Sequence, residues 1–234
     1  MTKAVRLPQV PWVLKSGYEP VAQQLLRIYS GTDGRDAPYT GASFQVLAGR
    51  GDSDECRDAI TAGDIVAVST LSVDVPAHAS ISLLGSDAGC VTSLLRDIPV
   101  GLDLVDAEET DIAPTSAAGR LWTFLREDVR IGRTTTSKLM ARKRPQLIPI
   151  YDSVVALELG LKGSKGHWAW MREVLLADGG ALNRRAVGLQ DTPGAGPLVS
   201  PLRVFDVVVW MHGQDHARSL EIASDKDLPL PPKS

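Results

Sequence analysis

The sequence predicts an all-α protein, and three observations carry that expectation. Apolar residues recur at i, i+3 and i+4 in several segments of about ten residues. Helix-start chemistry stands ahead of two of them, at Thr61 with Asp64 and at Ser200 with Pro201. Loops rich in Gly and Pro separate the segments. The expected organisation is a single helical globular domain over residues 1–223, with a helix, hairpin and second helix at about 117–160 and a disordered tail at 224–234. Within it, the N- and C-terminal helices form one lobe and the central segment a second.

Taken in order, the stretch 19–28 puts Val21, Leu25 and Ile28 on one face and runs into a loop at 30–40 rich in Gly, Asp and Pro. Thr61 and Asp64 have capping-box spacing ahead of 65–71. The run Ile65-Val66-Ala67-Val68 also suits a buried strand, and the cap signal favours helix. Another helix is expected at 86–97, followed by Pro99 and an acidic loop at 103–111. At 117–128, Leu121, Phe124 and Leu125 define one apolar face, and Glu127-Asp128 ends it. A short helix is expected at 153–159. The stretch 167–177 carries Trp168, Met171, Val174 and Leu175 on one face, and Asp178-Gly179-Gly180 stops it. After the linker at 191–197, Ser200 is an N-cap with Pro201 at the first helical position of a helix through Met211. The tail is polar and rich in proline, a composition that favours disorder.

The chain has 234 residues and 44% hydrophobic content, with a mean hydropathy of −0.02, which fits a soluble globular protein with a sizeable core. A net charge of −3 and an isoelectric point near 5.8 restrict any nucleic-acid contact to a local patch. Cys56 and Cys90 stand far apart and suggest no disulfide scaffold. With no apolar run of ~18 residues and no signal-peptide pattern, a cytoplasmic protein without a membrane partner is expected. Nothing in the sequence specifies an oligomeric state.

The densest chemistry lies at 128–155. Gly132 is a position where the backbone can take a positive φ or approach a ligand closely, and Thr134, Thr135 and Thr136 offer N-cap hydroxyls to a helix through Leu139 and Met140. The start of such a helix leaves N–H groups free for an anion, with Arg133, Lys138, Arg142, Lys143 and Arg144 nearby. The bland alternatives are a plain connector and a solvated helix end whose cations favour the helix dipole. Beyond Pro145, a proline-interrupted apolar stretch delivers Asp152 to the start of the next helix, where Asp152 or Ser153 could be its N-cap.

These residues resemble the helix-hairpin-helix DNA glycosylases of base-excision repair over about 121–161. Arg130-Ile131-Gly132-Arg133-Thr134-Thr135-Thr136 stands where that family's hairpin stands, and Ile150-Tyr151-Asp152-Ser153 is similar to the triplet carrying its catalytic aspartate, about eighteen residues beyond Thr134. Arg130 replaces the first hairpin glycine. Thr134 occupies the place where bifunctional members carry a lysine, and two cysteines cannot build the four-cysteine cluster of some members. The run at 134–153 also resembles a group of actinobacterial proteins of uncharacterised activity. The glycosylase resemblance implies double-stranded DNA as partner. It further implies phosphate contact by Gly132, Arg133, Thr134, Thr135, Lys138, Arg142, Lys143 and Arg144, and a flipped base near Tyr151, Trp122 or Trp168. Asp152 then stabilises an oxocarbenium-like sugar in monofunctional cleavage of an N-glycosidic bond. The alternative is a DNA-binding or protein-interaction module without catalysis.

Other candidates are weaker. Asp206, inside the apolar run 204–210, needs a partner that Arg203 can supply, or is a second carboxylate facing the same cleft as Asp152. His212 and His216 have the i, i+4 spacing of metal ligands, but Gly213 intervenes and no third ligand stands at readable spacing, so neither metal nor cofactor is expected. Arg50-Gly51-Asp52 reads as a turn, and Ser43 and Ser69 lack the sequence context of a hydrolase nucleophile.

Overall fold

The computed structural model describes residues 10–31 and 38–231, so part of the loop at 30–40 and the last three residues of the tail lie outside the described residues. Every regular element among the described residues is helical. Helix α1 (Glu19–Ser30) starts with Pro20 in its first turn and buries Val21, Ala22, Leu25, Leu26 and Tyr29, a stripe spaced by three and four residues. Thr61 and Asp64 form the expected capping box, and it opens α2 (Ala62–Ser69). Next come α3 (Ala77–Leu84), α4 (Ala88–Arg96) and the short α5 (Glu109–Ile112). Neither α3 nor α5 was anticipated. The apolar positions of α3 that are buried are only Ala79 and Leu83, too few for a periodic signal.

Helix α6 (Ala117–Thr123) begins at the Ser116 cap and continues as a π-helical turn, Phe124–Asp128. Helix α7 (Arg133–Lys143) follows, and α8 (Ser153–Glu158) starts at the Asp152 cap. Helix α9 (His167–Gln190) is broken at Ala177, Asp178, Gly179 and Gly180, which leave helical geometry where a stop was expected, and helical structure then resumes. Helix α10 (Pro201–Gln214) starts at Ser200, whose Oγ accepts the Arg203 amide at 3.2 Å. Helix α11 (His216–Asp225) extends order into the expected tail, and Tyr18 donates to the Pro229 carbonyl at 2.9 Å. Helix α1 packs on α9, α10 and α11, and α10 packs on α8; α2, α3, α4, α6 and α7 pack among themselves.

Helix α7 is the unexpected centre of this arrangement. Its residues from Thr135 to Lys143 are buried although most of them are polar. Arg142, Lys143 and Arg144 are 1%, 1% and 2% exposed. The Arg142 guanidinium donates to the carbonyls of Phe44, Leu47 and Gly49. The Lys143 ammonium donates to those of Gly51 and Cys56, both at 3.1 Å. Arg144 reaches the carbonyls of Arg57, Leu95 and Ile98 and the carboxylate of Asp58 at 2.8 Å. The counter-ion shared by Arg142 and Lys143 is Asp64, itself 1% exposed, which pairs with Arg142 Nε at 3.1 Å and with Lys143. The same carboxylate accepts the Thr61 amide at 2.8 Å, so one side chain closes a helix cap and is the shared counter-ion of two buried cations.

Breaking a buried pair from one side leaves charge uncompensated, typically at a cost of about 3–5 kcal/mol. Asp64→Asn keeps the size of the side chain and removes its charge. Its urea midpoint should therefore fall by the equivalent of at least about 3 kcal/mol. An unchanged midpoint would remove Asp64 from this role.

Candidate functional site

The turn between the π-helical segment and α7 is the exposed part of the central segment. Val129 and Ile131 return hydrogen bonds to Phe124 and Leu125 at 3.1 and 2.9 Å, and the reversal falls on Arg130, with φ 61°. Of the two uses expected of Gly132, a positive φ or close approach to a ligand, it does not take the positive φ. At φ −62° and ψ 149° it is the N-cap of α7. The chain has already turned two residues earlier. A Cβ at Gly132 would meet nothing within 4 Å, so neither backbone strain nor protein packing requires glycine here. Its lack of a side chain leaves this helix end uncapped, and Thr134, Thr135 and Thr136 lie inside the first turn rather than at the cap. The Thr136 amide donates to the Gly132 carbonyl at 2.9 Å, and the amides before it have no acceptor within the helix. Arg130, Gly132 and Arg133 are exposed, Thr134 is half-buried and Thr135 is buried.

The expected cationic surface is therefore smaller than the sequence suggests. Arg142, Lys143 and Arg144 were expected to face phosphate and instead spend their N–H groups on loop carbonyls and on Asp64 and Asp58. Lys138 is also interior, 3% exposed, and donates to the Leu71 carbonyl at 2.9 Å and to Asp152 Oδ2 at 3.0 Å. Of the expected phosphate contacts, only those around Arg133 and Gly132 face solvent.

Asp152 is brought to Lys138 by a short chain of bonds. Ser137 Oγ accepts the Tyr151 amide at 3.0 Å and donates to Thr134, which ties the proline-interrupted stretch to α7. Asp152 Oδ1 then caps α8 through the Val154 amide at 2.9 Å, while Oδ2 pairs with Lys138. The side chain keeps 16% of its exposure. Asp206 belongs to the same polar cluster. It pairs with Arg203, as the i, i+3 spacing suggests, and Arg203 also donates to Tyr29 Oη at 2.6 Å and to the Gly41 carbonyl at 3.1 Å. Burial raises the Asp206 carboxyl above its ordinary range, Arg203 opposes that shift, and the charge of Asp152 adds to it. Two carboxylates and two cations from α7, α8 and α10 thus share one electrostatic neighbourhood.

Aromatic groups surround the outer edge. The Arg133 guanidinium lies over the Tyr151 ring at 5.1 Å, and that ring, only 4% exposed, meets His167 edge-on at 5.6 Å. Trp122 is half-buried and packs edge-on against Trp168 at 5.8 Å. Beside Arg203, residues of α1, the segment 41–46 and the segment 195–198 line a cavity of about 80 Å³. Ligand pockets start near 300 Å³, so this cavity suits ordered water rather than a nucleobase. Arg50 and Asp52 form a local ion pair in the expected turn, and Gly51 lies under the Arg142 side chain.

Sequence reasoning missed Asp64 and Asp58 as counter-ions, because a capping-box aspartate gives no sign of a second role. His167 was placed only as a helix start. It is 3% exposed, and burial pushes it from 6.5 down to about 4. With the folded value depressed, the unfolded chain takes up the proton first as pH falls. The stability contributed by this residue is therefore full above pH 6.5 and is lost toward pH 4. Wild type should lose roughly 3 kcal/mol more than His167→Phe between pH 7 and pH 4, measured by urea unfolding. Parallel pH profiles for the two proteins would contradict this.

No helix among the described residues is long and apolar enough to cross a membrane. Neither a curated protein nor a solved structure matches the chain. One family matches, over residues 22–213, and its description is that of a family of unknown function. That span covers most of the sequence and contains α7, Asp152, Arg203 and Asp206, so the chain belongs to the DUF6308 family.

Proposed function

We propose that the protein binds a DNA backbone at the turn before α7 and uses Asp152 in cleavage of an N-glycosidic bond. The observation that carries the reading is the uncapped start of α7. Its free amides, the exposed guanidinium groups of Arg130 and Arg133, and a glycine that packing does not require together make a surface a phosphate can approach closely. Asp152 follows Tyr151 in the chain, and Arg133 of the same turn lies over the Tyr151 ring at 5.1 Å. A carboxylate in that position would stabilise the positive charge that develops on the sugar as the bond breaks. Tyr151 is too enclosed to stack on a flipped base without rearrangement, which leaves the half-buried Trp122 and Trp168 for that task.

A second reading is favoured by the engagement of both Asp152 oxygens, one by the Val154 amide and one by Lys138. Under it, Asp152 is a structural cap and ion-pair partner, and the turn is a non-catalytic DNA-binding or protein-interaction element.

Three variants separate the readings. Arg130→Ala with Arg133→Ala should weaken duplex binding and lower the slope of log K against log salt by about two, one per lost phosphate contact. Gly132→Ala should leave the thermal midpoint unchanged and weaken binding, because its Cβ meets only the approaching ligand. Asp152→Asn keeps the capping oxygen, and should retain binding while abolishing base release from a panel of lesion-bearing duplexes. Binding lost in the first two variants, with no base release by either the wild-type protein or Asp152→Asn, would support the second reading. No duplex binding by the wild-type protein at low salt would end both DNA readings.

A further inference from the structure

Helix α10 ends at Gln214, and Asp215, at φ −152° and ψ 85°, closes it and caps α11 through the Arg218 amide at 2.9 Å. His212 and His216 therefore do not share one continuous helical face, as their spacing suggests. The break folds them together, with ring centroids 4.5 Å apart. Facing both is Glu158, the last residue of α8. Its Oε1 is 2.9 Å from His216 Nε2, and its Oε2 is 3.9 Å from His212 Nε2. One ligand atom from each of the three residues lies within 4.8 Å of the others.

Two further features look built for this arrangement. Gly213 is in van der Waals contact with α8. A Cβ there would stand 2.6 Å from Val154 Cγ1 and 2.8 Å from Glu158 Cγ, so only glycine lets the carboxylate come this close to the histidines. Behind His212, Nδ1 is 3.0 Å from Ser219 Oγ, which in turn donates to the Asp215 carbonyl at 3.5 Å. That network assigns the proton to Nδ1 and directs the Nε2 lone pair toward Glu158. A hydrogen bond donated by the distal ring N–H to a second residue is the usual support of a metal-bound imidazole.

We propose that Glu158, His212 and His216 bind one Zn²⁺ ion, with solvent completing the coordination. Two imidazole nitrogens and one carboxylate oxygen are a donor set suited to zinc, and three protein ligands with an open position are the pattern of a zinc site that keeps a water. Bonds of 2.0–2.1 Å place tetrahedral ligands about 3.4 Å apart. His216, with 58% of its side chain exposed, is free to close the remaining distance, while His212 and Glu158 are held at 7% and 14%. The exposed rim at His216 is where water reaches the ion. The site draws on α8, α10 and α11 and does not depend on the DNA reading.

The test is zinc titration of the full chain after chelator treatment, followed by calorimetry, metal analysis and thermal unfolding, with Co²⁺ absorption as a spectroscopic probe of the ligand field. The expected result is one Zn²⁺ per chain and a thermal midpoint raised by roughly 5–10 °C at a free zinc concentration a hundredfold above Kd. His216→Ala changes an exposed side chain and should fold normally, yet lose at least about tenfold in affinity together with the thermal shift. Ser219→Ala should lose about tenfold, and Glu158→Gln should lose the Co²⁺ spectrum. The exposed residues His78 and Cys90 serve as controls, and His78→Ala and Cys90→Ser should bind as wild type. Substoichiometric zinc in the wild-type protein, or equal affinity in wild type and His216→Ala, would overturn the proposal.

Discussion

One carboxylate governs the interior of this protein. Asp64 is the shared counter-ion of Arg142 and Lys143 where neither cation has access to water, and the other donors of the two side chains go to main-chain carbonyls between Phe44 and Cys56. An isolated charge in such a place would be far too costly, and only full pairing makes it tolerable. The converse also holds. The segment 44–58 has almost no regular structure of its own, so its carbonyls need partners from elsewhere, and α7 supplies them. The loop and the helix are each other's hydrogen-bonding complement.

This constraint fixes the orientation of α7 and so the position of everything chemically active around it. Arg142 and Lys138 stand one helical turn apart, so anchoring Arg142 at Asp64 carries Lys138 toward Leu71 and Asp152. The far end of the same helix then emerges at the turn through Arg130 and Gly132 with its amides unpaired. The first turn of α7 therefore cannot shift without disturbing the interior.

The elements that read correctly from sequence were those whose signals are local. The capping box at Thr61 and Asp64, the Ser200-Pro201 start, the stop at Asp178-Gly179-Gly180 and the apolar stripe of α1 all depend on neighbours within a few residues. Helix α7 did not read correctly as to burial, because polarity ordinarily marks a surface and the partners that reverse that rule, Asp64 and the 44–57 carbonyls, lie some eighty to a hundred residues away. The positive φ at Arg130 was not read, and was only one of two uses offered for Gly132, since the π-helical turn that moves the reversal upstream has no simple sequence mark. Glu158 was invisible as a partner of His212 and His216 because the contact is made across α8 and α10 and allowed by Gly213. Local chemistry was legible; long-range charge pairing was not.

The most direct test of the central role of α7 is lysine reactivity in the native protein. Brief acetylation under folded conditions, read residue by residue by mass spectrometry, compares Lys143 and Lys138 with the exposed Lys15, Lys162 and Lys165. The account predicts that the exposed three are modified first and that Lys143 and Lys138 react only when the protein unfolds. Modification of Lys143 at the rate of Lys162 in the folded protein would place the basic run on the surface and contradict the structure's central pairing.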